Sequence, residues 1–160
     1  MSQSTTTCPS QEQDNLSSEH LRTRSAGIPA ERHRLDAAFS PDPARVREMR
    51  RATTALVSRA GVVGSVADDV VLVVSELVTN AILHGEGDVR LVVSVADDKV
   101  RVSVTDSSPT RPEVGNAGVD ALSGRGLFLV AVLAHNWGTN GEETWAEFRY
   151  TPAAPEEDAA

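Results

Sequence analysis

Ordered spacing of hydrophobic positions begins only past residue 27 and continues almost to the C-terminus. "RHRLDAAF" reads as a first strand. "SPDPARVREMRRATTALVSRAG" follows as a helix, with Pro43 suited to a first-turn position and Gly61 to the C-terminal end. "SVADDVVLVVSELVTNAILHG" predicts a second helix, apolar on nearly every side. Ser65 is its expected N-cap, two aspartates occupy its first turn, and Gly85 stops it. Two β-branched runs, "DVRLVVSVA" and "KVRVSVTD", flank a short Asp-Asp turn and predict a hairpin. Ser107 to Gly124 carries no regular pattern but holds two prolines and three glycines. A loop of that length inside a compact domain is more often functional than idle. "RGLFLVAVLAHNWG" predicts a third helix and "TWAEFRY" a closing strand. No internal repeat is visible. The mixture predicts an α+β fold, a two-layer α/β sandwich with helices covering one face of a mostly antiparallel sheet.

Composition narrows the class. A chain of 160 residues holds one domain of ordinary size. The expected layout is a disordered leader over 1–27, a folded domain over 28–151 and an acidic tail over 152–160. No apolar run reaches the roughly 18 residues needed to cross a bilayer, and no signal-peptide pattern opens the chain. The single cysteine, Cys8, cannot form an internal disulfide. A cytoplasmic protein is expected. The formal charge of −8 argues against direct nucleic-acid binding, which needs a basic footprint. Arg45, Arg47, Arg50 and Arg51 gather all the same, either as the solvated face of a helix or as a docking surface for an acidic partner.

The second helix poses the chemical question. Glu76, Asn80 and His84 recur at four-residue steps and therefore stack on one face. A carboxylate and a carboxamide in so apolar a helix are costly unless other protein groups or a ligand meet them. Asp106 continues the row of Val100, Val102 and Val104, either as a turn former or as a ligand contact at the end of an inward-facing strand row. "SGRGL", Ser123 to Leu127, places glycines at the expected mouth of the third helix. Backbone N–H groups there could approach an anion and Arg125 could add a charge-assisted contact; otherwise the glycines are a plain loop-to-helix joint.

The order of these features resembles the Bergerat-type ATP-binding fold shared by histidine kinases, gyrase, Hsp90 and MutL. Within it the chain is most similar to anti-sigma-factor serine kinases of the RsbW and SpoIIAB type and to stand-alone actinobacterial regulators related to them. The likeness covers roughly residues 33 to 150, and "SELVTNAILHG" matches the family's N box. The resemblance implies that Asn80 binds the Mg²⁺ bridging the phosphates of ATP and that Glu76 is the general base toward a serine hydroxyl. It further implies that Asp106 accepts a hydrogen bond from the adenine amino group, that Gly124, Arg125 and Gly126 close over the phosphates, and that residues 107–123 form the ATP lid. Thr144 would lie near the adenine pocket, and His84, in the same box, is expected to be structural rather than contacting.

The row after the aspartate departs from the family pattern. Where Asp-x-Gly-x-Gly is usual, residues 106–110 of this chain read Asp-Ser-Ser-Pro-Thr, with Ser108 and Thr110 in place of the glycines. Side chains there would crowd the adenine or stiffen the lid and make nucleotide affinity weak or conditional. The leading expectation is an ATP-dependent protein serine/threonine kinase that binds a sigma factor and phosphorylates a STAS-type anti-anti-sigma protein, with pairing as a homodimer implied by the family. The alternative is a non-catalytic regulator, ATP-binding or nucleotide-free, that acts by protein docking. An ATP hydrolase is less expected, since no second domain to couple hydrolysis to motion is expected, and a histidine kinase is the least expected, since no dimerisation helix with a phosphorylatable histidine is expected before the domain.

Overall fold

A computed structural model describes residues 32–107 and 121–153. The leader expected over 1–27 and most of the tail expected over 152–160 lie outside them, as do residues 108–120 of the expected lid. Five strands and three helices follow in the order β1 (His33–Phe39), α1 (Ala44–Arg59), α2 (Ser65–His84), β2 (Val89–Val95), β3 (Lys99–Thr105), α3 (Ala121–Leu133), β4 (Asn136–Asn140) and β5 (Glu143–Arg149). The strands form one sheet in the order β1-β2-β3-β5-β4, with every neighbouring pair antiparallel. The helices lie on one face, so the α+β two-layer sandwich read from the pattern is the fold.

Period-2 alternation decides which side chains meet the helices. Val89, Leu91, Val93 and Val95 of β2 and Val100, Val102 and Val104 of β3 are buried, and the register sets Leu91 opposite Val104 and Val93 opposite Val102. Ala146 and Phe148 of β5 continue this face. From the helix layer, Val70, Val73, Val74, Leu77 and Val78 of α2 pack onto it, joined by Met49 and Val57 of α1 and Leu127 and Val130 of α3. α2 is the central helix and touches α1, α3 and three of the strands. The sheet's other face is polar, with Asp36 accepting two hydrogen bonds from Arg90 and Arg101 pairing with Glu147 and stacking over Trp145.

The glycines close their helices as expected, whereas Pro43 is the N-cap of α1 rather than a first-turn residue and Asp68 is the one acidic residue in the first turn of α2. Gly61 has φ 75°, and Val62 N–H donates to Val57 O while Gly61 N–H donates to Ser58 O. This pair of hydrogen bonds closes α1 and needs the left-handed conformation that glycine supplies. Ser65 is not the N-cap of α2: it is the first helical residue, and Gly64 precedes it with no side-chain cap. The third helix differs most. It begins at Ala121 rather than Arg125 and ends at Leu133 rather than near Gly138. Ala121 and Leu122 are strong helix formers that carry the helix back past the two glycines. At its far end, His135 N–H donates to Glu147 O, which pulls "NWGTN" into the sheet as β4. No described helix is long and apolar enough to cross a membrane.

Candidate functional site

α2 presents Glu76 and Asn80 on the face that it turns toward α3. Both are half-buried, whereas His84 one turn further on is exposed. No hydrogen-bond or ion-pair partner meets either Glu76 or Asn80 among the described residues. The cost of placing them in an apolar helix is therefore not offset from within the described protein, and their polar atoms remain available to a ligand.

Gly126 explains how close α3 can come. A Cβ added there would stand 2.9 Å from Glu76 Oε2, 3.0 Å from Asn80 Nδ2 and 3.5 Å from Asn80 Oδ1. The bare backbone of α3 thus lies directly over both polar groups. Since α3 starts at Ala121, the Ser123–Gly126 segment lies within the helix instead of at its mouth. The unpaired N–H groups of a helix belong to its first four residues, here 121–124. Gly124 remains at that end, while Arg125 and Gly126 sit one step inside, and Arg125 is exposed. An anion at this helix start would meet the N–H groups of residues 121–124, which precede the Gly-Arg-Gly centre read from the sequence.

Asp106 lies past the end of β3, half-buried, at the far end of α2. Its N–H donates to Glu142 O at 3.3 Å, and the carboxylate abuts Gly85 at the end of α2. Thr144 is buried on β5 and pairs with Val104, which puts it on the helix-facing side diagonally next to Asp106. Glu76 and Gly85 are nine residues apart on α2, roughly 13 Å along the axis. The site residues therefore form two groups along one helix: Glu76, Asn80 and Gly126 at its middle, Asp106 and Thr144 toward its end.

No group of three or more His, Cys, Asp or Glu among the described residues could cage a metal by itself. The oxygens of Glu76 and Asn80 fit a hard cation such as Mg²⁺ only as one or two ligands, with phosphates and waters completing the shell. Sequence reasoning missed Gly85 as more than a helix stop. Ser107 N–H donates to Glu86 O at 2.8 Å, so the Gly85–Gly87 loop runs along Asp106 and Ser107 as a wall of the site.

A second feature lies on the opposite side of α2. Arg47, Arg50 and Arg51 of α1, with Thr54 and Val71, line a hollow of about 560 Å³ between α1 and α2. No carboxylate partner meets these three arginines among the described residues, whereas Arg45 is paired with Glu48 at 2.6 Å.

Comparison with known proteins bears on the family and the fold. The family model for the histidine kinase-like ATPase domain matches residues 39–149. Among solved structures, the chain is similar to one described as the RsbU and RsbW domains of Rv1364c from Mycobacterium tuberculosis. The TM-score is 0.53 at 21% identity, and the match covers 76% of this chain and 33% of that one, so this chain spans about a third of that protein's length. Among curated proteins, none matches the chain in sequence.

Proposed function

Because the chain belongs to the histidine kinase-like ATPase domain family, we propose that it binds Mg-ATP along α2 and transfers the terminal phosphate to a serine or threonine of a partner protein. The observation that carries this reading is the half-buried Glu76–Asn80 pair, without a partner among the described residues, under the bare backbone of Gly126. A positioned base and a metal ligand are most of what a protein contributes to phosphoryl transfer.

In this reading the phosphates reach Glu76 and Asn80 from beside Gly126, at the start of α3, and the adenine reaches Asp106 and Thr144. The separation of the two groups along α2 suits a nucleotide stretched from base to terminal phosphate. Mg²⁺, when bound, neutralises charge developing on the phosphates. Asn80 Oδ1 supplies one ligand to it, and Glu76 takes the proton from the attacking hydroxyl. Asp106 accepts from the adenine amino group, and Gly124, Arg125 and the start of α3 face the phosphates.

The expected partners are a sigma factor, held by this protein, and a STAS-type anti-anti-sigma protein that accepts the phosphate. The groove of Arg47, Arg50 and Arg51 supports a docking surface for an acidic partner segment, since its cations meet no carboxylate among the described residues of an acidic chain. Arg50→Glu should raise KM for the phosphate-accepting protein at least tenfold while leaving ATP binding alone; an unchanged KM removes the groove from the docking surface.

The central test is transfer from radiolabelled ATP to the cognate partner. Glu76→Gln should abolish it, a loss of at least a hundredfold as for a general base, while ATP still binds. Undiminished transfer in that variant would sink the base assignment. The replacement of the two glycines by Ser108 and Thr110 favours a second reading, a non-catalytic regulator whose bound nucleotide shapes a docking surface. Tight ATP binding with no phosphate acceptor in a full panel of candidate partners would favour it.

A further inference from the structure

Gly85 has backbone angles open to any residue, φ −80° and ψ 177°. Its glycine therefore does not answer a conformational demand. Space is the demand instead. A Cβ at Gly85 would stand 2.6 Å from Asp106 Oδ2 and 2.8 Å from Asp106 Cγ, and it would also press on the carbonyl oxygen of Ala81. Heavy atoms in contact sit at about 3.5–4.0 Å, so the carboxylate is seated where a side chain would otherwise be.

Two backbone hydrogen bonds hold Asp106 and its neighbour against such a clash. Its N–H donates to Glu142 O at 3.3 Å, and the next residue, Ser107, donates to Glu86 O at 2.8 Å. These two bonds tie the end of β3 to the β4–β5 turn on one side and to the loop after α2 on the other. A methyl at position 85 would therefore press both on the Ala81 carbonyl oxygen at the end of α2 and on the Asp106 carboxylate, and the carboxylate, as a side chain, relieves its share by rotating.

We propose that Gly85 is a positioning residue: its missing side chain seats the Asp106 carboxylate at the end of α2 and so sets selection of the base. This rests on the reading of Asp106 as the adenine contact. Its substrate consequence is discrimination between purines with an amino group at the 6-position, a donor to the carboxylate, and those with a carbonyl there, which repels it. Rejection of a base lacking the expected donor depends on a fixed, desolvated acceptor, so a turned carboxylate discriminates less.

The experiment uses the full chain with Gly85→Ala, Asp106→Ala and the double variant. Stability comes from urea unfolding, and affinities for Mg-ATP and Mg-ITP from calorimetry. Gly85→Ala is expected to lower ATP affinity about tenfold, leave ITP affinity unchanged, and cost more stability in the wild-type background than beside Asp106→Ala. Equal stability losses in both backgrounds would overturn the contact, assigning the glycine to the Ala81 carbonyl alone. Retained ATP-over-ITP preference in Gly85→Ala would overturn its role in base selection. A wild-type chain that binds neither nucleotide removes the adenine reading and base selection with it, while the stability cycle still decides whether Gly85 seats Asp106.

Discussion

Gly126 of α3 and Glu76 of α2 approach so closely that a methyl on the glycine would stand 2.9 Å from the carboxylate oxygen Oε2. The atom in the way is the tip of a flexible side chain rather than backbone, which separates the effect on folding from the effect on the site. Gly126→Ala should gain up to about 1 kcal/mol of helix propensity and lose part of it again to crowding. Thermal unfolding is therefore expected to shift by only a few degrees, whereas Mg-ATP affinity or transfer drops at least tenfold because Glu76 and Asn80 are pushed aside. A variant with full activity would show that these side chains can move without consequence.

Asn80 is the metal ligand of the proposed reading, so its removal should act through the cation. Asn80→Ala is expected to abolish calorimetric binding of Mg-ATP while leaving any weak, magnesium-independent binding measured in EDTA unchanged. An equal loss in both conditions would mean that Asn80 contacts the nucleotide directly or holds the pocket's shape.

A pH effect is expected on the face away from the site. Asp36 accepts hydrogen bonds from Arg90 Nε at 2.9 Å and Arg90 Nη2 at 2.7 Å, and Arg34 also reaches it. Arg90, aided by Arg34, lowers its carboxyl from the ordinary 3.8 to about 2. A depressed carboxyl stabilises the fold above its unfolded value and loses that contribution as pH falls toward the folded one. Stability should therefore decline between about pH 4 and pH 2 in the wild type, and Asp36→Asn should flatten that part of the profile. Both groups are solvent-exposed, so the change is expected to be small and to shrink in high salt. An unaltered slope would show that the pair exists without stabilising the fold.

The elements that the sequence specified are those whose own periodicity is strong. Val100, Val102 and Val104 alternate cleanly and form a strand, and the apolar run from Val70 to Leu83 is too long to be anything but a helix. β4 was not legible in this way. "NWGTN" sets two strand formers, Trp137 and Thr139, among Asn and Gly residues that disfavour strands, and it becomes a strand because β5 offers it a ladder. The one local signal was Asn140–Gly141, a turn pair placed ahead of a β-rich run. The start of α3 was misplaced for the converse reason. Gly124 and Gly126 look like loop residues by propensity, yet Leu127 and Val130 bury against the core and hold the helix together around them.

The sequence alone therefore determined the layer architecture and the polar stripe on α2, because both are written in local spacing, while the roles expected of Glu76, Asn80 and Asp106 came from the family resemblance. Only the tertiary structure decided what the glycines at 85 and 126 lie against. A missing side chain has no meaning along the chain. It acquires one when another element is packed against it, here Asp106 from β3 against Gly85 and the Glu76–Asn80 pair from α2 against Gly126. The two contacts join residues that are 21 and 46–50 positions apart in sequence, and no local periodicity encodes a distance across the fold.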